Sequence, residues 1–222
     1  MKTITYQLAD ESKGLWDVQP EALNFGNSYS MINTGGVECE VGEFLFGMVR
    51  VLKPQNICET GTHLGVSSSY LASALRANGF GKLTTIEYTK EFIQKSQELW
   101  IRLGLSDWID TVQGLSYDFD PKGTMYDLMF LDTEVDIRLK ELVKFYPNLK
   151  EGGFVLIHDM PYDLAQNTHN PDHPDTDPWP IGPIPKEIIN WVKNGKLQHM
   201  FFPNPRGMMG FYKTKVSEYK WI

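Results

Sequence analysis

Cysteine is almost missing from this chain. Its two thiols, Cys39 and Cys58, cannot build a disulfide framework. Cys58 lies inside an apolar run, so a small buried side chain is expected there. No run of lysines or arginines occurs, and 21 basic residues against 28 acidic ones leave a net charge of −7. Nucleic acids and anionic membranes are held by clustered cations, so neither is an expected partner. The opening stretch MKTITYQLADESKG has no apolar run of export-signal length, and nowhere do about 18 apolar residues follow one another. A cytoplasmic protein that stays out of the membrane is expected. Internal repeats and low-complexity tracts are lacking too.

What is present is an ordinary globular composition, with 41% hydrophobic and 22% charged residues in 222. That length fits one domain, read as residues 37–222, behind an N-terminal extension or cap over 1–36. VECEVGEFLFGMVRVL (37–52) carries Val41, Phe44, Leu45, Met48 and Val51 at helical spacing. QNICET then reads as a strand, and SSSYLASALRANG as a helix capped by Ser67 or Ser68 and ended at Asn78-Gly79. KLTTIEYT (82–89), WIDTVQG, MYDLMFLDT (125–133) and FVLIHDM (154–160) read as further strands. Between them lie the amphipathic KEFIQKSQELWIRLG and RLKELVKFYPNLKEGG, the latter a helix closed by Gly152-Gly153. Strands alternating with helices imply βαβ units and a mostly parallel sheet. The end differs: QHMFFPNPRGMMGFYKTK (198–215) is a hairpin pattern.

In such a sheet the ligand lies beyond the carboxyl ends of the strands. Those ends hold Glu59, Gly61 and Gly65; then Glu87; then Gly114 to Tyr117; then Asp132; then His158 and Asp159. Four carboxylates converging on one edge repel one another unless cations or hydroxyls are bound there. The glycines let backbone N–H groups approach a ligand, and the following helix presents its positive end. Glu87 stands where a carboxylate accepts hydrogen bonds from a ribose diol. Glu59 ahead of the glycines is ill placed for a pyrophosphate and suits a positive centre. An adenosine compound without phosphates and with a positive charge meets these demands, and S-adenosylmethionine is one.

At this point the sequence resembles a known family. ETGTHLGVS is similar to the E/D-x-G-x-x-x-G-x-S loop of class I S-adenosylmethionine-dependent methyltransferases. TTIEYT resembles their second motif, VQGLSYDF the adenine-side segment, YDLMFLD the fourth strand and EGGFVLIHDM the fifth. Within the class the chain looks most like the small-molecule O-methyltransferases of the catechol type. The resemblance implies an α/β, Rossmann-like, doubly wound and mostly parallel seven-stranded sheet with an antiparallel C-terminal hairpin. It implies that the loop with Glu59, Gly61, Thr62, Gly65 and Ser67 holds the methionine part of the cofactor, and Glu87 the ribose. Ser116 and Tyr117 would flank the adenine, and Asp132 and Asp159 would face the transferred methyl. Metal-dependent members bind magnesium through two such aspartates and a following Asn, where this chain has Met160. Their lysine base is replaced by Val135. No metal is therefore predicted, although a divalent ion at Asp132 and Asp159 stays open. His158 becomes the candidate general base, since imidazole titrates in a useful range.

The expected function is methyl transfer from S-adenosylmethionine to an oxygen, or second to a nitrogen, of a small polar metabolite, with a homodimer left open. The alternatives are an NAD-dependent oxidoreductase on a Rossmann sheet and a non-catalytic module that binds the same cofactor. The loop NTHNPDHPDTDPWPIGPIP (167–185) offers His169, Asp172, His173 and Asp175 as metal ligands, but Pro171 and Pro174 oppose the helix their spacing needs. It reads instead as a lid, with Trp179 either toward an acceptor or as a plain packing anchor.

Overall fold

The computed structural model describes residues 36–160, 184–202 and 207–215, and the backbone of two short N-terminal strands. The loop at 167–185 with its histidines, aspartates and Trp179, apart from residues 184 and 185, and the turn of the C-terminal hairpin lie outside the described residues. The N-terminal strands, β1 (Thr5–Leu8) and β2 (Ser28–Met31), pair in parallel, a pairing the mixed sequence there did not suggest. The rest runs α1 (Cys39–Leu52), β3 (Asn56–Thr60), α2 (Val66–Asn78), β4 (Lys82–Glu87), α3 (Lys90–Leu103) and β5 (Ile109–Gln113). It continues with β6 (Tyr126–Leu131), α4 (Arg138–Phe145), β7 (Leu149–His158), α5 (Lys186–Lys193), β8 (Leu197–Phe202) and β9 (Met208–Lys213). Strands β3 to β9 form one seven-stranded sheet in the order β5-β4-β3-β6-β7-β9-β8. β4 with β5, β3 with β6 and β6 with β7 are parallel, while β9 is antiparallel to both β7 and β8. The mostly parallel sheet and its closing hairpin are those expected. No helix among the described residues is long and apolar enough to cross a membrane.

The chain divides into two compact units. In the first (Met1–Lys53 with Thr62–Gly114), α1 buries Val41, Leu45 and Val49, one row at i, i+4 spacing. Val51, placed on that face from the sequence, is 80% exposed. The run is apolar on several sides, so two helical phases fit it, and packing against α2 selects one. Gly42 makes that packing close: a Cβ there would stand 2.3 Å from the Tyr70 ring. α2 starts after Gly65, whose left-handed φ of 78° makes it the N-cap. Ser67 and Ser68 lie inside the first turn rather than capping it.

In the second unit (Pro54–Gly61 with Leu115–Ile222), β3 lies in register with β6 from Ile57 against Leu128 to Thr60 against Leu131. Ile57, Cys58, Leu128, Met129, Phe130 and Leu131 are fully buried, as strands covered on both faces require. Burial pushes the Cys58 thiol far up, so it is an inert core side chain. α4 corrects an expectation: it ends at Phe145, and a 3-10 turn, Tyr146–Asn148, follows. Pro147 in that turn has no N–H to continue the α-helical ladder. Gly152 and Gly153 therefore lie within β7, which begins five residues earlier than read, and not at a helix end. A Cβ on Gly153 would lie 3.1 Å from the Asp127 carbonyl, beside the register shift between β6 and β7. α5, a single amphipathic stretch before the hairpin, was not read from the sequence.

Two glycines separate backbone necessity from mere tolerance. Gly61 has φ +82° and would set a Cβ 2.2 Å from the Asp132 carbonyl oxygen, whereas Gly47 in α1 has nothing within 4 Å. Gly61→Ala is expected to cost about 3 kcal/mol. Gly47→Ala should add about 0.5–1 kcal/mol by restricting the unfolded chain. Urea denaturation of both variants checks this, and a Gly61→Ala protein as stable as the unsubstituted chain would refute the close approach.

Candidate active site

From β3 the chain moves outward through β4 and β5, and it returns to the other side of β3 as β6 and then β7. The switch point thus lies between β3 and β6, where open α/β sheets take their ligands. Here the Asp132 N–H donates to the Thr60 carbonyl at 3.0 Å, directly under Gly61. Each compact unit places its own group of predicted residues.

In the second unit, Asp132 follows β6, His158 is the last residue of β7 and Asp159 follows it. Their ligating atoms all lie within 4.8 Å of one another. His158 Nδ1 is 3.3 Å from Asp132 Oδ1 and 3.6 Å from Asp159 Oδ1. The His158 ring is fully buried, while the Asp132 side chain keeps 13% exposure. Asp159 holds a left-handed φ of 52°, which turns its carboxylate off the strand direction. The cation among these groups is Arg138, the first residue of α4. Its Nη2 lies 3.0 Å from Asp132 Oδ1 and its Nη1 3.0 Å from Asp159 Oδ2. Its Nε donates to the Thr133 carbonyl at 2.7 Å, and Nη1 also donates to the His158 carbonyl. The planar fork of a guanidinium suits such divided recognition.

One turn along α4, Glu141 is buried and gathers three hydroxyls. Thr60 Oγ1 and Thr133 Oγ1 donate to Oε2 at 3.0 and 2.8 Å, and Ser116 Oγ donates to Oε1. Ser116, expected beside the adenine, is thus held from behind. Tyr117 is half exposed; its ring lies 5.2 Å from Lys144 Nζ, which also donates to its carbonyl. Glu59 is fully buried in β3, across from Phe130.

The first unit holds the remaining loop residues. Thr62 and Thr85 share a hydroxyl hydrogen bond of 2.6 Å, and the Gly65 N–H returns to the Thr62 carbonyl at 2.9 Å. The Gly65 carbonyl accepts from Ser69 Oγ at 2.6 Å and Trp100 Nε1 at 3.3 Å. Ser67 is buried in the first turn of α2. Glu87, at the end of β4, accepts the His63 N–H on Oε2 at 2.9 Å and the Thr89 N–H on Oε1 at 2.8 Å. Each oxygen keeps a second lone pair, so the carboxylate is fixed in place and still able to accept.

Arg138 and Glu141 were missed because helix-face reading assigns charges to solvent. The signal was nevertheless there: Arg138, Glu141, Leu142 and Phe145 fall at i, i+3, i+4, i+7, and all four are buried. Burial raises the Glu141 carboxyl above the usual 4.5, against the opposing hydrogen bonds from Ser116, Thr133 and Thr60 and the charge of Arg138. A raised folded value means the native state binds a proton that the unfolded chain has released. Stability tied to Glu141 is therefore fully present at acid pH and falls as pH rises above 4.5, levelling beyond the folded value. Glu141→Gln lacks this titration, so its stability relative to the unsubstituted chain should increase from about pH 4.5 to neutrality. Denaturant midpoints across that range measure it, and a constant difference would contradict the raised value.

The geometry can be set beside known proteins. A family profile described as "Methyltransferase domain" matches residues 58–160. A catechol O-methyltransferase of Niastella koreensis is 30% identical over 98 residues, covering 42% of this chain and 43% of that protein. One from Mycobacterium tuberculosis is 26% identical over 125 residues, covering 55% and 56%. The chain spans only about half the length of the curated relatives it matches, up to 58%. Among solved structures, the O-methyltransferase TomG of Streptomyces achromogenes, in complex with SAM, superposes with a TM-score of 0.66 at 18% identity over 81% of this chain and 82% of that one. The O-methyltransferase of Bacillus cereus, in complex with SAH, gives 0.63 at 18% identity over 82% and 84%. At that identity the superpositions speak for the fold. The matched stretch and the fold agree: residues 58–160 are similar to the methyltransferase-domain family, and the superpositions share its fold.

Proposed function

We propose that this chain transfers a methyl group from S-adenosylmethionine to an oxygen of a small polar acceptor. The observation that carries the reading is the character of the loop after β3. Carboxylates precede and follow it, Glu59 buried in β3 and Glu87 fixed by two backbone N–H groups, and Glu59–Ser67 contains no lysine or arginine. A pyrophosphate would meet repulsion there, while a sulfonium and a ribose diol would be welcome. The relatives and structural neighbours named above, O-methyltransferases by name, two solved with SAM or SAH, support the same choice. They also support oxygen over nitrogen as the acceptor atom.

The residues divide the work. Gly61, Thr62, Gly65 and Ser67 would hold the methionine part, Glu87 the ribose hydroxyls, and Ser116 and Tyr117 the adenine side, with Ser116 braced by Glu141. When bound, the cofactor supplies an already activated methyl that a nucleophilic oxygen displaces in line, so alignment and exclusion of water carry most of the rate. Asp132, the least buried of its cluster, would receive the acceptor's proton. His158 sits fully buried behind it and would hold and orient that carboxylate, and Asp159 would fix Arg138. The reading brings with it a small-molecule acceptor and a cytoplasmic setting.

Calorimetry with S-adenosylhomocysteine and with NAD tests the cofactor. S-adenosylhomocysteine should bind and NAD should not, and Glu87→Ala should weaken the former by about 10- to 100-fold. Asp132→Ala should leave that affinity within about threefold while lowering methyl transfer by about 10²-fold or more, as loss of a base does. Binding of NAD with silence toward S-adenosylhomocysteine would overturn the assignment.

A further inference from the structure

We infer that Arg138 is the resident cation of the Asp132–Asp159 carboxylate pair, and that methyl transfer on this chain needs no divalent metal. The chemistry rests on the methyl-transfer reading; the occupancy of the site does not. Asp132, His158 and Asp159 bring three ligating atoms within 4.8 Å of one another, a spacing compatible with a metal ion. The space toward both carboxylates is nevertheless taken by a guanidinium, with nitrogens 3.0 Å from Asp132 Oδ1 and 3.0 Å from Asp159 Oδ2. Arg138 is itself 5% exposed and is tied by further bonds to the Thr133 and His158 carbonyls. It is no surface side chain that swings aside.

A divalent ion bound to the same oxygens would bring two positive charges against a third in a buried place, where repulsion is poorly screened. Expelling Arg138 would leave four polar contacts of that side chain to be replaced. The donor set is also wrong for magnesium. The third donor of the cluster, His158, offers a nitrogen where a hard cation prefers oxygen, and Met160, next to Asp159 in the sequence and fully buried, adds no oxygen side chain. Its backbone is fixed as well, the Met160 N–H donating to the Gly207 carbonyl at 3.1 Å.

Two consequences follow for the reaction. One guanidinium against two carboxylates leaves one negative charge, which favours a cationic sulfonium nearby. Without a Lewis acid, the acceptor needs no pair of adjacent oxygens to chelate; one hydroxyl whose proton Asp132 can take is enough.

Manganese serves as the probe, followed by loss of the free-ion electron paramagnetic resonance signal on titration into the full chain. The unsubstituted protein should take up no stoichiometric manganese below about 1 mM. Arg138→Met, if its circular dichroism shows it folded, should gain one site per chain at least about 100-fold tighter, and adding Asp132→Asn should abolish it. Should Arg138→Met fail to fold, Arg138→Lys keeps the charge and should, like the unsubstituted chain, take up none. One tight manganese per unsubstituted chain that Asp132→Asn removes would overturn the inference, as would a folded Arg138→Met that still binds none. Failure of the methyl-transfer reading would show instead as silence toward S-adenosylhomocysteine, with the manganese titration still readable.

Discussion

Asp132 and Asp159 directly follow neighbouring parallel strands, and two carboxylates that close, one of them buried, repel unless a cation lies with them. Arg138 answers that constraint, and much of the second unit is arranged around it. Because the guanidinium comes from the first residue of α4, pairing it with both strand ends fixes where that helix starts and how it lies. Its bonds to the Thr133 and His158 carbonyls hold the chain just after each strand, where the polypeptide leaves the ladder and backbone groups need other partners.

The same helix then delivers Glu141 to a second buried position one turn on. A lone buried carboxylate is expensive, and the three hydroxyls of Thr60, Thr133 and Ser116 offset only part of that cost, since the group still titrates above its ordinary value. What the arrangement supplies is geometry. Thr60 ends β3, Thr133 follows Asp132 and Ser116 lies three residues after β5, so one carboxylate ties together three separate turns at the carboxyl edge of the sheet. Buried ionic groups seldom add net stability compared with apolar ones of the same shape, but removing one member leaves the others stranded. A pair of charged residues on the inner face of a short helix therefore reads as a device for position.

Much of this edge was legible in the sequence because a parallel sheet imposes it. Each strand is an apolar run of known length, and the residue after each run must lie at the carboxyl edge; Glu59, Gly61, Glu87, Asp132, His158 and Asp159 follow by that rule alone. The closing hairpin was legible from its two β-rich runs. Side-chain partners were not. Arg138 and Glu141 sit in a stretch whose charges satisfy a solvent-facing pattern equally well, and only the docking of α4 decides between the two. The end of α4 turned on Pro147, whose missing N–H outweighs the helix-ending pull of Gly152 and Gly153. Val51 went astray for a related reason, since an apolar helix with several hydrophobic sides does not announce which one is buried.

A guanidinium and a metal ion solve the same electrostatic problem with different consequences. Arginine keeps its charge at any pH the fold survives, does not exchange with the medium, and spreads that charge over a plane with fixed donor directions. A divalent ion concentrates its charge and can polarise an oxygen bound to it. With Arg138 in place the carboxylates are oriented, and under the proposed metal-free methyl transfer proton removal would fall to the side chains themselves. Asp132 then combines two properties that its neighbours divide: partial exposure, and fixed partners in Arg138 and His158. That combination, rather than the mere presence of acids at the strand ends, singles it out as the group on which an acceptor would be read.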